Sequence, residues 1–514
     1  MGFPKFAFKL LSYQYLAGSK KRISSFSTKN NYLRIILLLL LSPMVFNSFH
    51  FLVFMLVVFG GFFLIPHRLR WIFLLAASYY FYMAWKAKYA LLIVIITLID
   101  YFCGIKLAEA KNKRNQKFWL LFSLISNLGI LMVFKYYDFF IENINSLFTE
   151  MGMNHELPIL RLILPLGISF HTFQSMAYTI DVYKKRTLPE KHLGYFALFI
   201  AYFPQMVAGP IERAGNVIHQ LKEKTNFDYD RISAGFKLMI WGFFKKIVIA
   251  DRLAVIVDSA YDNPSDHGGL TMMMATYAFA FQIYCDFSGY TDIAIGASKI
   301  LGVNMMKNFK TPYLSLSISE FWNRWHISLS TWFKDYLYIP LGGNRKSKPR
   351  VYLNIMIVFL LSGFWHGAEW TFIIWGAIHG FYTISENLFH SNNPKIQSTI
   401  RKRIRQFILF NMVCIAWIFF RANDLNSATQ TLYSFMHPDV SEWMNFLNDY
   451  GMKSILILGI IWISFIFLDR IIENKIHEQK AKSSKSEYAF YTLITALILI
   501  FGFFGKTEFI YFQF

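Results

Sequence analysis

Long apolar runs recur along the whole of this 514-residue chain, broken by short loops rich in lysine and arginine. A helix that crosses a bilayer needs about 20 predominantly apolar residues. Candidate spans lie near 71–85, 89–108, 118–135, 158–180, 193–209, 235–257, 270–285, 352–365, 370–389, 405–420, 454–472 and 488–504. With 55% hydrophobic and only 16% charged residues, the chain is not an ordinary soluble globule. The expected fold class is all-α, a polytopic membrane protein, because helices satisfy their own backbone groups in lipid. Several spans are short, so some pieces are expected to be re-entrant or interfacial. No internal repeat of fixed period is visible.

The formal net charge of +21 does not point to nucleic acid. The basic residues fall in short loops between apolar runs rather than on one face, as the excess of positive charge on cytoplasmic loops predicts, and membrane lipid is their natural partner. Counted from Met44, Arg68 and Arg70 would lie inside, the turn at 86–88 outside, 106–117 inside, 136–157 outside and Lys184-Lys185-Arg186 inside. Residues 1–43 form a basic extension that prefers the cytoplasm and conflicts with this orientation. They are read as a misassigned start, a cytoplasmic tail or a disordered segment preceding a membrane domain at 44–514. The 55 phenylalanines and 29 tyrosines fit rings packed against lipid and at the headgroup level. Cys103, Cys285 and Cys414 lie in apolar sequence without a C-x-x-C pair, so they predict buried thiols and neither a disulfide framework nor a metal site.

Polar residues inside apolar runs are costly in a membrane and persist where they face a bundle interior or a wet cavity. Between 164 and 181, Pro165, Gly167, Ser169, His171, Gln174 and Asp181 interrupt a span. His171, Gln174 and Tyr178 share one helical face, and either join helices by hydrogen bonds or line a substrate passage. Gly209-Pro210 predicts a helix break. Asp286 and Asp292 could be an acid and base pair, but with Lys245, Lys246 and Arg252 upstream an ion-pairing structural role is the expectation.

The stretch 320–350 mixes Phe321, Trp322, Trp325, Trp332, Phe333, Tyr336 and Tyr338 with Asn323, Arg324, His326, Ser328, Ser330, Lys334 and Asp335. It is too polar to span lipid and suits a re-entrant or interfacial place, with its rings anchoring and its charges wet. Glu320 and Arg324, four apart, are spaced to pair along a helix. His326 is a catalytic partner or a structural hydrogen bonder. His366 stands apart, since it follows the apolar run 355–361 and Ser362-Gly363-Phe364-Trp365. A neutral imidazole in so apolar a place could accept a proton from a hydroxyl nucleophile, and small residues at 363 and 367 would leave room for a substrate chain. A buried histidine bonded to a neighbouring helix is the alternative. His379, thirteen residues on, is at best a support.

Taken together, several ordered segments resemble the membrane-bound O-acyltransferase (MBOAT) family. They are L-P-L-G-I-S-F at 164–170, F-P-Q-M-V-A-G-P-I at 203–211, F-F-K-K-I-V-I-A-D-R-L at 243–253, Q-I-Y-C-D-F-S-G-Y-T-D-I-A-I-G at 282–296, R-W-H-I-S-L-S-T-W at 324–332, G-F-W-H-G-A-E-W-T-F at 363–372 and F-I-Y-F-Q-F at 509–514. The likeness is to the bacterial branch that contains alginate O-acetyltransferases and, more distantly, teichoic-acid D-alanyltransferases. It implies a helical bundle with re-entrant or interfacial helices around a central tunnel, in a multi-pass protein of the bacterial inner membrane. It also implies His366 of W-H-G as the catalytic residue, with the region of His326 contributing.

The activity implied is acetyl transfer from a cytoplasmic thioester donor, acetyl-CoA, with no bound cofactor. The acceptor implied is a cell-surface polysaccharide, reached through an extracytoplasmic acetyltransferase partner. Arg324 or Asn323 beside His326 could stabilise an oxyanion, and Trp325, Ser328, Trp365, Trp370, His171 and Gln174 are candidates to line the substrate path. Position 171 is His where this branch often has Tyr, and 1–43 have no counterpart. D-alanyl transfer from a carrier protein is an alternative, and a transporter without acyl transfer is an alternative of another class.

Overall fold

The computed structural model describes residue 44 and residues 48–206, 209–389, 398–439, 469, 485–503 and 509–510. The extension 1–43 and nearly all of the candidate span 454–472 lie outside the described residues. Among those described, the secondary structure is helical and no strand occurs.

Helix α1 (Phe49–Leu64) starts where the Ser48 hydroxyl accepts from the Phe51 amide at 3.1 Å. It ends before Pro66, which has no N–H to donate. Helices α2 (His67–Lys86) and α3 (Ala90–Glu109) join through a tight turn at Ala87–Tyr89. Helix α4 (Lys113–Leu131) opens on an Asn112 cap and runs through a π segment, Met132–Tyr136, into α5 (Tyr137–Glu150). Three stretches among the described residues are long and apolar enough to cross a membrane: His67–Glu109, Lys113–Glu150 and Thr399–Arg421. On α4 the amphipathic pattern is inverted. Phe118, Leu121, Phe122, Ile125 and Leu128 are exposed while Ser123 and Asn127 are buried, and those two donate to the Asp100 carboxylate of α3 at 2.5 and 2.9 Å. Lipid solvates the apolar face, and the polar groups find partners inside.

Helix α6 (Ile168–Tyr183) corrects the expected span at 158–180. Residues 158–165 are not helical, because Pro165 and a left-handed Gly167 (φ 68°) delay the start to Ile168. A β-carbon at 167 would also strike the Met206 carbonyl. After α7 (Leu193–Ala201) and one turn at Phe203–Met206, the chain leaves helix by Gly209 and Pro210 as expected, then forms α8 (Ala214–Lys222).

Helix α9 (Tyr229–Phe243) continues through a π segment, Phe244–Ala250, into α10 (Asp251–Asp262), and packs on the 32-residue α11 (Gly269–Ile300). Two glycine pairs, Gly235 with Gly296 and Gly242 with Gly289, set their approach. A β-carbon on any of the four would come within 2.6–2.8 Å of the facing glycine's carbonyl oxygen. Small residues admit such close packing between helices in lipid. At the same layer Lys246 bridges Asp251 and Asp286 at 2.7 Å each, and Lys245 meets Asp292 at 2.7 Å. The ion-pairing role expected for Asp286 and Asp292 is what the structure has. Arg252 takes no part, since it donates to the Phe501 carbonyl.

Between α11 and α14 (Lys348–His366) the stretch 320–350 breaks into α12 (Ile318–Trp322), α13 (Ile327–Phe333) and a π segment, Lys334–Tyr338. Ser317 caps the Glu320 amide, and the Glu320 carboxylate accepts in return from the Leu316 amide. The rings here do not simply anchor at a headgroup layer: Phe321, Trp325, Trp332 and Phe333 are buried inside the protein. The fold continues with α15 (Trp370–Phe389), α16 (Thr399–Arg421), α17 (Leu425–Met436) and α18 (Lys485–Phe501). Trp241, Trp325, Trp375 and Trp417 are among its largest fully buried side chains. Aromatic abundance therefore reflects the protein interior as well as the lipid face. Cys103, Cys285 and Cys414 are free and buried.

Candidate active site

His366 is the last residue of α14, and a glycine contact fixes where that helix end goes. A β-carbon on Gly363 would meet the Phe372 carbonyl of α15, and one on Gly376 would meet the Phe359 carbonyl of α14. At Gly367 it would meet the Phe372 ring. The small residues at 363 and 367 therefore admit α15, which corrects the expectation that they leave space for a substrate. The His366 ring, in a residue only 4% exposed, has centroids of Trp365, Trp375 and Phe420 at 4.9, 5.1 and 5.4 Å, each edge-on.

His326 reaches the same place from another direction. It caps α13 in the left-handed region (φ 42°, ψ 54°), a conformation that costs a residue with a β-carbon about 1–2 kcal/mol. Neighbouring backbone holds it there. The Lys310 amide donates to the Arg324 carbonyl, and the Ile327 amide to the Asn308 carbonyl, both at 2.9 Å. The Asn308 side chain accepts from the Ser328 amide at 3.2 Å. His326 is fully buried, with Phe287 edge-on at 4.6 Å and the His366 ring at 6.3 Å. Residues forty apart in sequence thus face one interior point, walled by Trp365 and Phe170.

The sequence model described as "MBOAT, membrane-bound O-acyltransferase family" matches residues 74–429, well over half of the chain. The chain belongs to this family. A "Peptidoglycan O-acetyltransferase" of Helicobacter pylori is 37% identical over 412 residues, 73% of this chain and 77% of that protein. A "Probable alginate O-acetylase" of Pseudomonas aeruginosa is 37% identical over 450 residues, 86% of this chain and 85% of that one. A "Teichoic acid D-alanyltransferase" of Bacillus subtilis is 30% identical over 275 residues, 50% of this chain and 69% of that protein. The protein is a membrane O-acyltransferase of the acetyl-transferring kind, which sets aside a transporter without acyl transfer.

Within this MBOAT protein the other candidate residues divide by position. Trp365 walls the histidine pair and lies 5.6 Å from Phe170 and 5.3 Å from Phe173. Ser328, buried, follows His326 by two residues. Trp325 faces a different cluster, stacked on Phe321 at 5.6 Å and tilted against Trp417 at 5.1 Å. Arg324 is held by Glu320 at 2.6 Å, the pair its spacing predicts, and Asn323 is exposed. Trp370 is half exposed and donates to the Asn143 side chain at 2.9 Å. Gln174 donates to the Phe199 carbonyl at 2.9 Å, and the Tyr178 hydroxyl accepts from the Glu190 amide. His171 packs against Tyr82, with centroids 6.4 Å apart. His379 lies behind the site, separated from His366 by Trp375, whose centroid is 5.1 Å from each.

Several neighbours went unread in the sequence. Phe170, Phe173, Phe287 and Phe420 look like any other phenylalanine in an apolar run, so they carry no local signal. Lys135 does carry one, a lysine at the edge of an apolar run, but read locally it marks only the end of a span. It lies in the π segment between α4 and α5 and donates to the carbonyls of Trp365 and His366 at 2.7 and 2.9 Å.

Proposed function

We propose that this acyltransferase takes an acetyl group from a thioester donor in the cytoplasm, acetyl-CoA, and passes it across the bacterial inner membrane towards hydroxyls of an extracytoplasmic polysaccharide. The observation that carries the reading is the buried, ring-walled pair of His326 and His366. With His366 as general base, its imidazole takes the proton of the accepting hydroxyl while that oxygen bonds to the thioester carbonyl carbon. The tetrahedral oxyanion collapses, the carbon–sulfur bond breaks, and the thiol leaves with the proton returned from the imidazolium. His326 supplies an N–H to the oxyanion, a contribution that a preorganised donor makes best in a dry site. The indole N–H groups of Trp365 and Trp375 are buried without a hydrogen-bond partner, and are further donors for a substrate oxygen.

The same position allows His366 to carry the acetyl group itself in two half-reactions. A rapid denaturing quench near neutral pH, where an acetyl-imidazole survives long enough to be counted, separates the two routes when labelled donor is given without acceptor, since only the second leaves label on the protein. An extracytoplasmic acetyltransferase partner receives the group and places it on the polysaccharide. The relatives named for alginate and peptidoglycan support a polysaccharide acceptor.

The test is the acetyl content of surface polysaccharide in a His366→Ala strain. Loss of acetylation with normal protein level is expected, and unchanged acetylation would overturn the role of His366. The match to teichoic acid D-alanyltransferases favours one second reading, D-alanyl transfer from a carrier protein. It requires a cytoplasmic docking surface, and capture of a charged carrier protein by this chain would support it.

A further inference from the structure

The α4–α5 helix contacts the end of α14 at three consecutive positions. In its π segment, Tyr136 stacks on Phe364 with centroids 4.1 Å apart and planes 19° from parallel. Lys135, one residue earlier, donates from one ammonium to the carbonyls of both Trp365 and His366. Residues 364, 365 and 366 are thus held by 135 and 136.

Those two carbonyls belong to the last turn of α14, where the backbone acceptors have no partner within the helix and the helix end carries partial negative charge. A lysine there satisfies both. It comes from a helix more than two hundred residues away in sequence, from a π segment, a rare winding that often marks functional sites. Gly367, which follows, has an extended conformation (φ −153°). The direction of the His366 side chain therefore depends on how this helix end is terminated.

Resting on the role of His366 given above, we infer that Lys135 is a positioning residue for acetyl transfer. Its ammonium fixes the end of α14 so that the His366 imidazole meets its substrate in one orientation. Lys135 acts through the backbone of 365 and 366 and touches no reacting atom.

The experiment compares K135M, K135R and H366A in membrane vesicles, as initial rates of acetyl release from acetyl-CoA per folded copy across donor concentrations. K135M keeps the length of the stem and removes the donors. It is expected to lower kcat by about tenfold or more, with KM for the donor within about threefold, the pattern of a misplaced reacting group rather than a lost binding contact. K135R, which can still donate to both carbonyls, is expected to recover at least half of the logarithmic loss. A kcat for K135M within about twofold of the parent overturns the inference, as does an equal fall for K135M and K135R. If K135M does not fold, K135L decides by the same criterion, and if that also fails to fold while K135R is fully active, Lys135 is a fold residue and the inference falls. H366A separates this outcome from failure of the underlying reading. An active H366A removes the role of His366 itself, whereas an inactive H366A beside a fully active K135M removes only the role of Lys135.

Discussion

In the α9–α11 layer the buried charges are matched: Lys246 meets Asp251 and Asp286, Lys245 meets Asp292, and the Ile510 amide donates to Asp286. Against the His366 imidazole pack aromatic rings, and the indole donors of Trp365 and Trp375 have no partner. Both regions are largely buried, so burial alone does not separate a scaffold from a reaction site. The separation lies in what is paired: in the first layer each buried lysine has a carboxylate partner, and beside His366 two indole N–H donors have none. Matched charges hold helices in register, while unmatched donors in a dry cage remain available to a substrate.

His366→Ala tests the contrast with the largest effect. Acetyl transfer should fall by about 10²–10⁴-fold, the range for loss of an acid–base group, while thermal unfolding in detergent stays near that of the parent. A large loss of folded protein would instead make His366 part of the scaffold. Lys246→Met should do the reverse, because it leaves Asp251 and Asp286 buried without their cation. A destabilisation of about 3–5 kcal/mol is expected, seen as loss of folded yield, with activity per folded copy retained. Full yield with lost activity would move this layer into the reaction site.

His326→Ala should lower the rate less than His366→Ala, and His326→Asn less again, because asparagine tolerates the left-handed backbone and keeps a donor. The opposite order of the two alanine variants would exchange the roles of the histidines. The smallest effect is expected at Arg324→Ala, which removes a partly exposed pair with Glu320 worth about 0–1 kcal/mol. An activity loss approaching that of His326→Ala would show that Arg324 serves the site.

Much of the molecule was legible beforehand. Hydrophobic runs locate helices because a membrane leaves the backbone few other choices, and Gly209-Pro210 marks a break, whereas the apolar run at 158–180 did not show that its helix begins only at Ile168. The pairings of Asp286 and Asp292 with lysines were readable because a carboxylate in an apolar run needs a cation. The contribution of Lys135 was not, since one lysine at the end of an apolar run has the same local pattern whether it meets solvent or caps a distant helix. The glycines were misread for a related reason: at 363 and 367 the sequence records small size, but not that α15 occupies the space.

The sequence by itself determined the helical membrane architecture, the family and the two motifs that carry His326 and His366, because these depend on local composition and order. Tertiary structure alone decided that the two imidazoles lie 6.3 Å apart, that His326 takes a left-handed turn and that Lys135 terminates α14. The first and last are contacts between residues far apart in the chain, and the turn at His326 is held by backbone bonds from its neighbours Arg324 and Ile327 to Lys310 and Asn308, so only tertiary packing fixes all three.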